Sequence, residues 1–265
     1  MQIREYVRPA DLDEAYALLT KRKNNYVIGG CTFLKRTRLM IGTAIDLGAC
    51  GLDYIEERED GVAIGASTCL RDIETSPLLK ERYDEALTRA VEHLIGVQLR
   101  NAITIGGHVA SRFGFSDIIP TLMALGAVLK FHNSGEIPLA EYMTLKKPFR
   151  DILVEIRLPK AGARAVVQMM RKSYNDYSIF CLSAARTEGV WTIAAGVFPG
   201  PARLASEVMA DMNGRRITAA DAPALADRIA GSFTFGSNYR GSAEYRRELC
   251  RVFARRAVEE LADAD

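Results

Sequence analysis

The sequence predicts an α+β protein, with two small α/β subdomains in about the first 160 residues and then a C-terminal antiparallel three-stranded sheet with helices. Three observations carry that prediction. Helical periodicity and short apolar runs alternate up to about residue 160. Three strand signals then follow one another directly. Between the two regimes, Pro, Lys and Gly cluster at 159–163. The expected division is therefore 1–160, with subdomains of about 1–55 and 56–160, followed by 161–265.

In the first subdomain, Pro9 and Ala10-Asp11 open a helix whose Leu12, Ala15, Leu18 and Leu19 recur at helical spacing, and Asn24-Asn25 ends it. Tyr26-Val27-Ile28 reads as a short buried strand stopped by Gly29-Gly30. Phe33, Leu34 and Leu39 start a short helix, and Thr43-Ala44-Ile45-Asp46-Leu47 is a strand. In the second subdomain, a strand over 62–66 precedes helices opening at 68–73 and running over 83–95. A connection at 96–101 leads into Ile103-Thr104-Ile105, read as a strand closing on Gly106-Gly107. A helix over 117–125, a strand over 127–131 and a turn at Asn133-Ser134-Gly135 come next. Ile152, Val154, Ile156 and Leu158 then alternate along a strand closed by Pro159. The C-terminal part carries strands at 165–170, 178–184 and 190–197, the last two joined near Glu188-Gly189, which implies an antiparallel meander. Helices over 219–229 and 243–261 complete it.

With 48% hydrophobic and 26% charged residues and a mean hydropathy of -0.02, the chain resembles soluble globular proteins, not disordered or membrane-spanning ones. The start carries Arg4, Glu5 and Arg8 and lacks the apolar stretch of a signal peptide, so a cytoplasmic protein is expected. A net charge of +2 argues against a nucleic-acid partner. Arg246, Arg247, Arg251, Arg255 and Arg256, interleaved with Glu248, Glu259 and Glu260, are expected to form a solvated helix face or a face toward a partner subunit. The five cysteines never reach CxxC spacing and read as free thiols. The three histidines form no HxxxH pair, so no metal site is expected on this chain.

The two glycine pairs are the candidate chemical feature. Each follows a short apolar run: Val27-Ile28-Gly29-Gly30-Cys31-Thr32, and Ile103-Thr104-Ile105-Gly106-Gly107-His108. Glycine there allows a tight turn, removes the Cβ that would hold a phosphate away, and lets N–H groups converge on an anion. The same pairs also suit ordinary tight turns. Neither is a GxGxxG or P-loop motif.

The segment from Val97 to Ala110 (VQLRNAITIGGHVA) resembles the IRN-x-ATIGGN signature of the FAD-binding subunits of molybdopterin dehydrogenases, the xanthine dehydrogenase type with a PCMH-type FAD-binding domain. That fold is shared with vanillyl-alcohol oxidase. Residues 27–34 (VIGGCTFL) resemble the family's first flavin loop. Ser116-Asp117-Ile118-Ile119-Pro120 with Leu125-Gly126-Ala127, the strand ending at Pro159, and YRGSAEYRR at 239–247 resemble further family segments in the same order.

The resemblance implies non-covalent FAD. Val27, Ile28, Gly29, Gly30, Cys31, Thr32, Phe33 and Leu34 would wrap the pyrophosphate, and Thr104, Gly106, Gly107 and His108 would form a second clamp, with Ser111 a further donor. Asp117 would accept from a ribose hydroxyl, and Leu153 would pack near a ring. Lys172 stands nearest to the family's flavin lysine. His108 replaces the usual Asn. Either it donates to phosphate, which makes FAD affinity fall as the ring loses its proton, or it is a structural histidine. Gly107 is expected to tolerate no branched side chain. Leu94 stands where some relatives place an aromatic over the flavin. The resemblance further implies partner subunits bearing a molybdopterin and [2Fe-2S] clusters, no catalytic acid/base pair on this chain, and NAD or another carrier as acceptor. A stand-alone flavin oxidase of this fold and a FAD-free scaffold are the alternatives.

Overall fold

The computed structural model describes residues 1–159 and 163–262, so the boundary expected at 159–163 falls largely on residues outside the described ones. Strands β1 (Gln2–Val7), β2 (Tyr26–Ile28) and β3 (Met40–Asp46) form a wholly parallel sheet in the order β1-β3-β2. The helix Leu12–Lys21 buries Ala15 and Leu19, and Asp11 caps it by accepting from the Glu14 N–H at 2.8 Å. β1 was not expected. Five of its six residues are exposed, so burial leaves no alternation in its sequence, and pairing with β3 alone makes it a strand. The helix expected after Phe33 is one 3-10 turn, Leu34–Arg36.

The second sheet is antiparallel throughout, in the order β4-β5-β8-β6-β7, with β4 (Ile55–Arg58), β5 (Gly61–Gly65), β6 (Val128–Phe131), β7 (Gly135–Pro138) and β8 (Leu153–Pro159). Both unexpected strands, β4 and β7, are edges. Their charges, Gly and Pro are what edge positions tolerate and what hides them in sequence. The helix expected over 83–95 is shortened to Ala86–Val91: Asp84 and Glu85, at φ of 51° and 56°, delay its start and part it from a separate helix, Pro77–Arg82.

The third sheet has four strands, not three: β9 (Arg164–Arg171), β10 (Ser178–Thr187), β11 (Val190–Gly196) and β12 (Arg203–Leu204), antiparallel in the order β12-β11-β10-β9. Two residues of β12 are too few to leave a period. At the β10–β11 hairpin, Glu188 and Gly189 both take positive φ, 49° and 81°, the conformation that two-residue hairpins favour. One face of this sheet packs on the helices Ala222–Gly231 and Ala243–Ala262, through Phe180, Trp191, Phe253 and Leu261. The other face receives the helix Ile118–Ala124, with Thr121 and Ser183 hydroxyls 2.9 Å apart. That contact joins the C-terminal part to the first 159 residues. In Ala243–Ala262, Arg251 and Arg255 are exposed and ion-paired with Asp227 and Glu259, but Arg246 points inward and is completely buried, against the expected solvated face.

Candidate functional site

A cleft of about 1730 Å³ opens where the three sheets meet. Pockets for drug-sized ligands hold about 300–1,000 Å³, so this one suits an extended, multi-part ligand. It is lined by residues 26–36 of β2 and the loop beyond it, residues 46–48 at the end of β3, 103–104, 106–108 and 110–111, 113–115, 148–153, Tyr177, 197, 199–200 and 238–240, among others. Val27, Ile28, Gly29, Gly30, Cys31, Thr32, Phe33, Leu34, Thr104, Gly106, Gly107, His108, Ser111, Leu153 and Leu94 all lie on its wall.

The two glycine segments pack on each other. A Cβ on Gly30 would sit 1.6 Å from the carbonyl oxygen of Ala102, and one on Gly29 would sit 2.4 Å from Thr104 Oγ1. Cys31 then turns left-handed, at φ 52°. Among the described residues, the backbone N–H groups of Gly30, Cys31, Thr32 and Phe33 have no hydrogen-bond acceptor. Four adjacent unsatisfied donors on a cleft wall suit an anion such as a pyrophosphate. Arg150 anchors this loop from below, since its Nη2 donates to Leu19 O at 2.6 Å and Asn25 O at 3.4 Å, just ahead of β2.

The second segment differs from its expected form. No strand precedes the glycines. Thr104 is the N-cap of the helix Ile105–Ala110, which contains Gly106 and Gly107. The Gly106 N–H donates to Ala66 O at 2.9 Å and the His108 N–H to Thr104 O at 3.0 Å, while Gly107 N lies 3.4 Å from Thr104 Oγ1. These donors are thus engaged within the protein. Gly106 is required for close packing, because its Cβ would lie 2.6 Å from Ala66. Gly107 has no positive φ, and its Cβ would meet only Thr104 Oγ1, at 3.0 Å, so the strictest glycine is Gly30. The Ser111 hydroxyl donates to Gly107 O at 2.6 Å.

The geometry favours the structural reading of His108 and places Asp117 and Lys172 away from the cleft wall. His108 is buried, its Nε2 lies 2.7 Å from Ser116 Oγ, and burial lowers its pKa to about 4, so the ring is neutral at physiological pH. Asp117 does not line the cleft. It is wholly buried, with Oδ2 on Arg171 Nη2 at 2.8 Å, and burial outweighs that cation to raise its pKa to about 6. Its carboxylate joins the helix Ile118–Ala124 to β9 and is not presented to a ribose. Lys172 is also off the wall, with Nζ donating to Tyr239 O at 3.1 Å. The half-buried Cys31 thiol is pushed up by burial and then by Asp46, which disfavours thiolate chemistry.

Sequence patterns do not point to the aromatic end of the cleft. Phe33, Phe113, Phe115 and Tyr177 follow one another at centroid distances of 4.3, 4.8 and 5.0 Å, with Arg240 over Tyr177 at 5.4 Å. Phe113-Gly114-Phe115, two rings around a glycine directly after the second motif, is the signal that could have marked it. Two β-branched residues of the wall, Ile95 and Val197, hold φ of 58° and 63°, a strained conformation typical of ligand-shaping segments.

Comparison with known proteins matches residues 1–161 to the family described as the FAD binding domain in molybdopterin dehydrogenase. Residues 164–261 match the CO dehydrogenase flavoprotein C-terminal domain. The glyceraldehyde dehydrogenase medium chain of Sulfolobus acidocaldarius is 26% identical, over 97% of this chain and 98% of that protein. The carbon monoxide dehydrogenase medium chain of Afipia carboxidovorans is 29% identical, over 96% and 95%. The solved quinoline 2-oxidoreductase of Pseudomonas putida 86 superposes with a TM-score of 0.86, covering 98% of this chain and 97% of its own at 20% identity, a likeness of fold.

Proposed function

The chain belongs to the family of FAD-binding domains of molybdopterin dehydrogenases, and from that premise we propose that it is the FAD-carrying subunit of a molybdenum hydroxylase complex, holding the cofactor in the cleft between its three sheets. The observation that carries this reading is the run of backbone N–H groups without an intramolecular acceptor at Gly30, Cys31, Thr32 and Phe33, on the wall of a cleft large enough for a dinucleotide. Those N–H groups would hold the pyrophosphate, and Thr32 would add its hydroxyl. Leu94 and Leu153 supply apolar wall, and the rings from Phe33 to Tyr177 extend that wall from the first loop. Bound FAD exchanges electrons singly or as a pair, which lets one subunit join one-electron carriers to a hydride acceptor.

Within that reading, an iron–sulfur subunit delivers electrons from a molybdopterin-bearing large subunit, giving a heterotrimer, and NAD or another carrier removes them. Two of the relatives matched over nearly their whole length are medium chains by name, which supports this division of labour. Residues 1–160 would form the FAD-binding domain and 161–265 a C-terminal domain whose 238–240 segment completes the cleft. Among the described residues, none of the groups of His, Cys, Asp and Glu could hold a metal ion, and no helix is long and apolar enough to cross a membrane. A cytoplasmic location fits the reading.

The test is the purified protein itself. It should be yellow and reduced slowly by NADH without any organic substrate. Rapid bleaching by a small organic substrate alone would replace the relay with a stand-alone oxidase, and a colourless protein that binds no added FAD would leave a scaffold. On acid precipitation all flavin should remain in the supernatant; a yellow pellet would overturn non-covalent binding.

A further inference from the structure

Arg246 is the buried charge of the C-terminal helix, at 0% exposure, where the other inward residues are apolar. Its guanidinium meets no carboxylate among the described residues, and burial, then Arg240, lowers its pKa. A buried cation without an anion is strongly unfavourable unless its donors are saturated. Here four of its five N–H donors meet neutral oxygens. Nε donates to Ile179 O at 2.9 Å, Nη1 to Gly236 O at 2.7 Å and Gly241 O at 2.5 Å, and Nη2 to Asn238 Oδ1 at 2.7 Å.

Three of those four acceptors belong to one turn, 236–241, which Asn238 and Gly241 close by exchanging backbone hydrogen bonds of 3.1 and 3.2 Å. The turn carries the cleft-lining residues 238–240. Its Gly236 N–H also donates to Phe198 O at 3.0 Å, reaching the neighbouring wall segment beside the strained Val197. So placed, Arg240 lies over Tyr177 and Tyr239 at 5.4 and 5.0 Å, with Nη1 on Asp176 at 2.7 Å. Acceptors in several directions at fixed spacing suit a planar fork and not the single ammonium of lysine.

We propose that Arg246 is a positioning residue for the cofactor cleft: without touching the ligand, its buried guanidinium fixes the 236–241 turn so that Tyr239 and Arg240 form the cleft's C-terminal wall. The proposal rests on FAD occupying that cleft. Two full-length variants test it. Arg246→Lys keeps the charge and loses the fork. Gly241→Ala keeps every partner of Arg246 but brings a Cβ to 2.9 Å from Ile179 Cγ2, lifting the turn off β10. Both should raise the Kd for FAD about tenfold, the scale of one charge-assisted hydrogen bond. Both should also alter the visible circular dichroism of bound FAD and make it more accessible to iodide quenching. Variants with a lowered melting temperature but wild-type Kd, dichroism and quenching would show Arg246 to be structural only and overturn the proposal. A wild-type chain that binds no FAD would instead overturn the cofactor assignment.

Discussion

Gly30→Ala should weaken FAD binding by about one to two orders of magnitude while leaving a folded chain. The added methyl would lie 1.6 Å from the Ala102 carbonyl oxygen and 2.5 Å from its carbon, both backbone atoms that no rotamer change can move aside. The 27–34 loop must therefore lift off the Ala102–Thr104 stretch, which carries its four free N–H groups away from a common anion position. Forced overpacking of this kind costs roughly 1–3 kcal/mol, equivalent to about one to two orders of magnitude in affinity. Gly107→Ala is the control. Its Cβ meets only the Thr104 hydroxyl at 3.0 Å, so the effect should be several-fold smaller. Titration of the two apo variants with FAD, alongside thermal melts, decides the matter. Wild-type affinity in Gly30→Ala would remove the first loop from the cofactor site.

Much of the cleft is legible in the sequence because it is built from local features. Gly29-Gly30 after Tyr26–Ile28 and Thr104 ahead of Gly106-Gly107 are contiguous, and both segments do reach the same wall. What stays hidden depends on partners remote in the chain. Asp117 looks like a free carboxylate at a helix start, and only Arg171, 54 residues on, turns it into a buried tie. Ile103-Thr104-Ile105 has the composition of a strand, yet the Thr104 hydroxyl caps a helix, a competition that short β-branched runs do not resolve. Asp84 and Glu85 delay the start of a helix with left-handed backbone and no glycine to announce it. β1 and β4 are edge strands with little burial, so neither carries the apolar alternation by which β8 is recognised.

His108 should lower stability as pH falls below 6.5 and leave FAD binding indifferent to pH near neutrality. Its ordinary pKa of 6.5 is lowered to about 4 by burial against Ser116. For a base whose folded pKa is depressed, the contribution is fully present above 6.5. It is lost as pH falls toward 4, because the unfolded chain takes up the proton first. The size is about 3 kcal/mol across that window. Asp117 works in the opposite sense: raised from 3.8 to about 6, its carboxyl holds a proton in the fold that the unfolded chain gives up, so its contribution grows as pH falls through 6. Between about pH 4 and 6 the two slopes offset each other in the wild-type protein. His108→Asn removes one of them, so urea denaturation should show stability rising toward pH 4 relative to wild type. FAD affinity between pH 6 and 9 should stay parallel in the two proteins, because the ring is neutral throughout. Superimposable stability profiles between pH 4 and 6.5 would mean that His108 titrates in the fold as it does in water, and that its burial against Ser116 does not hold in solution.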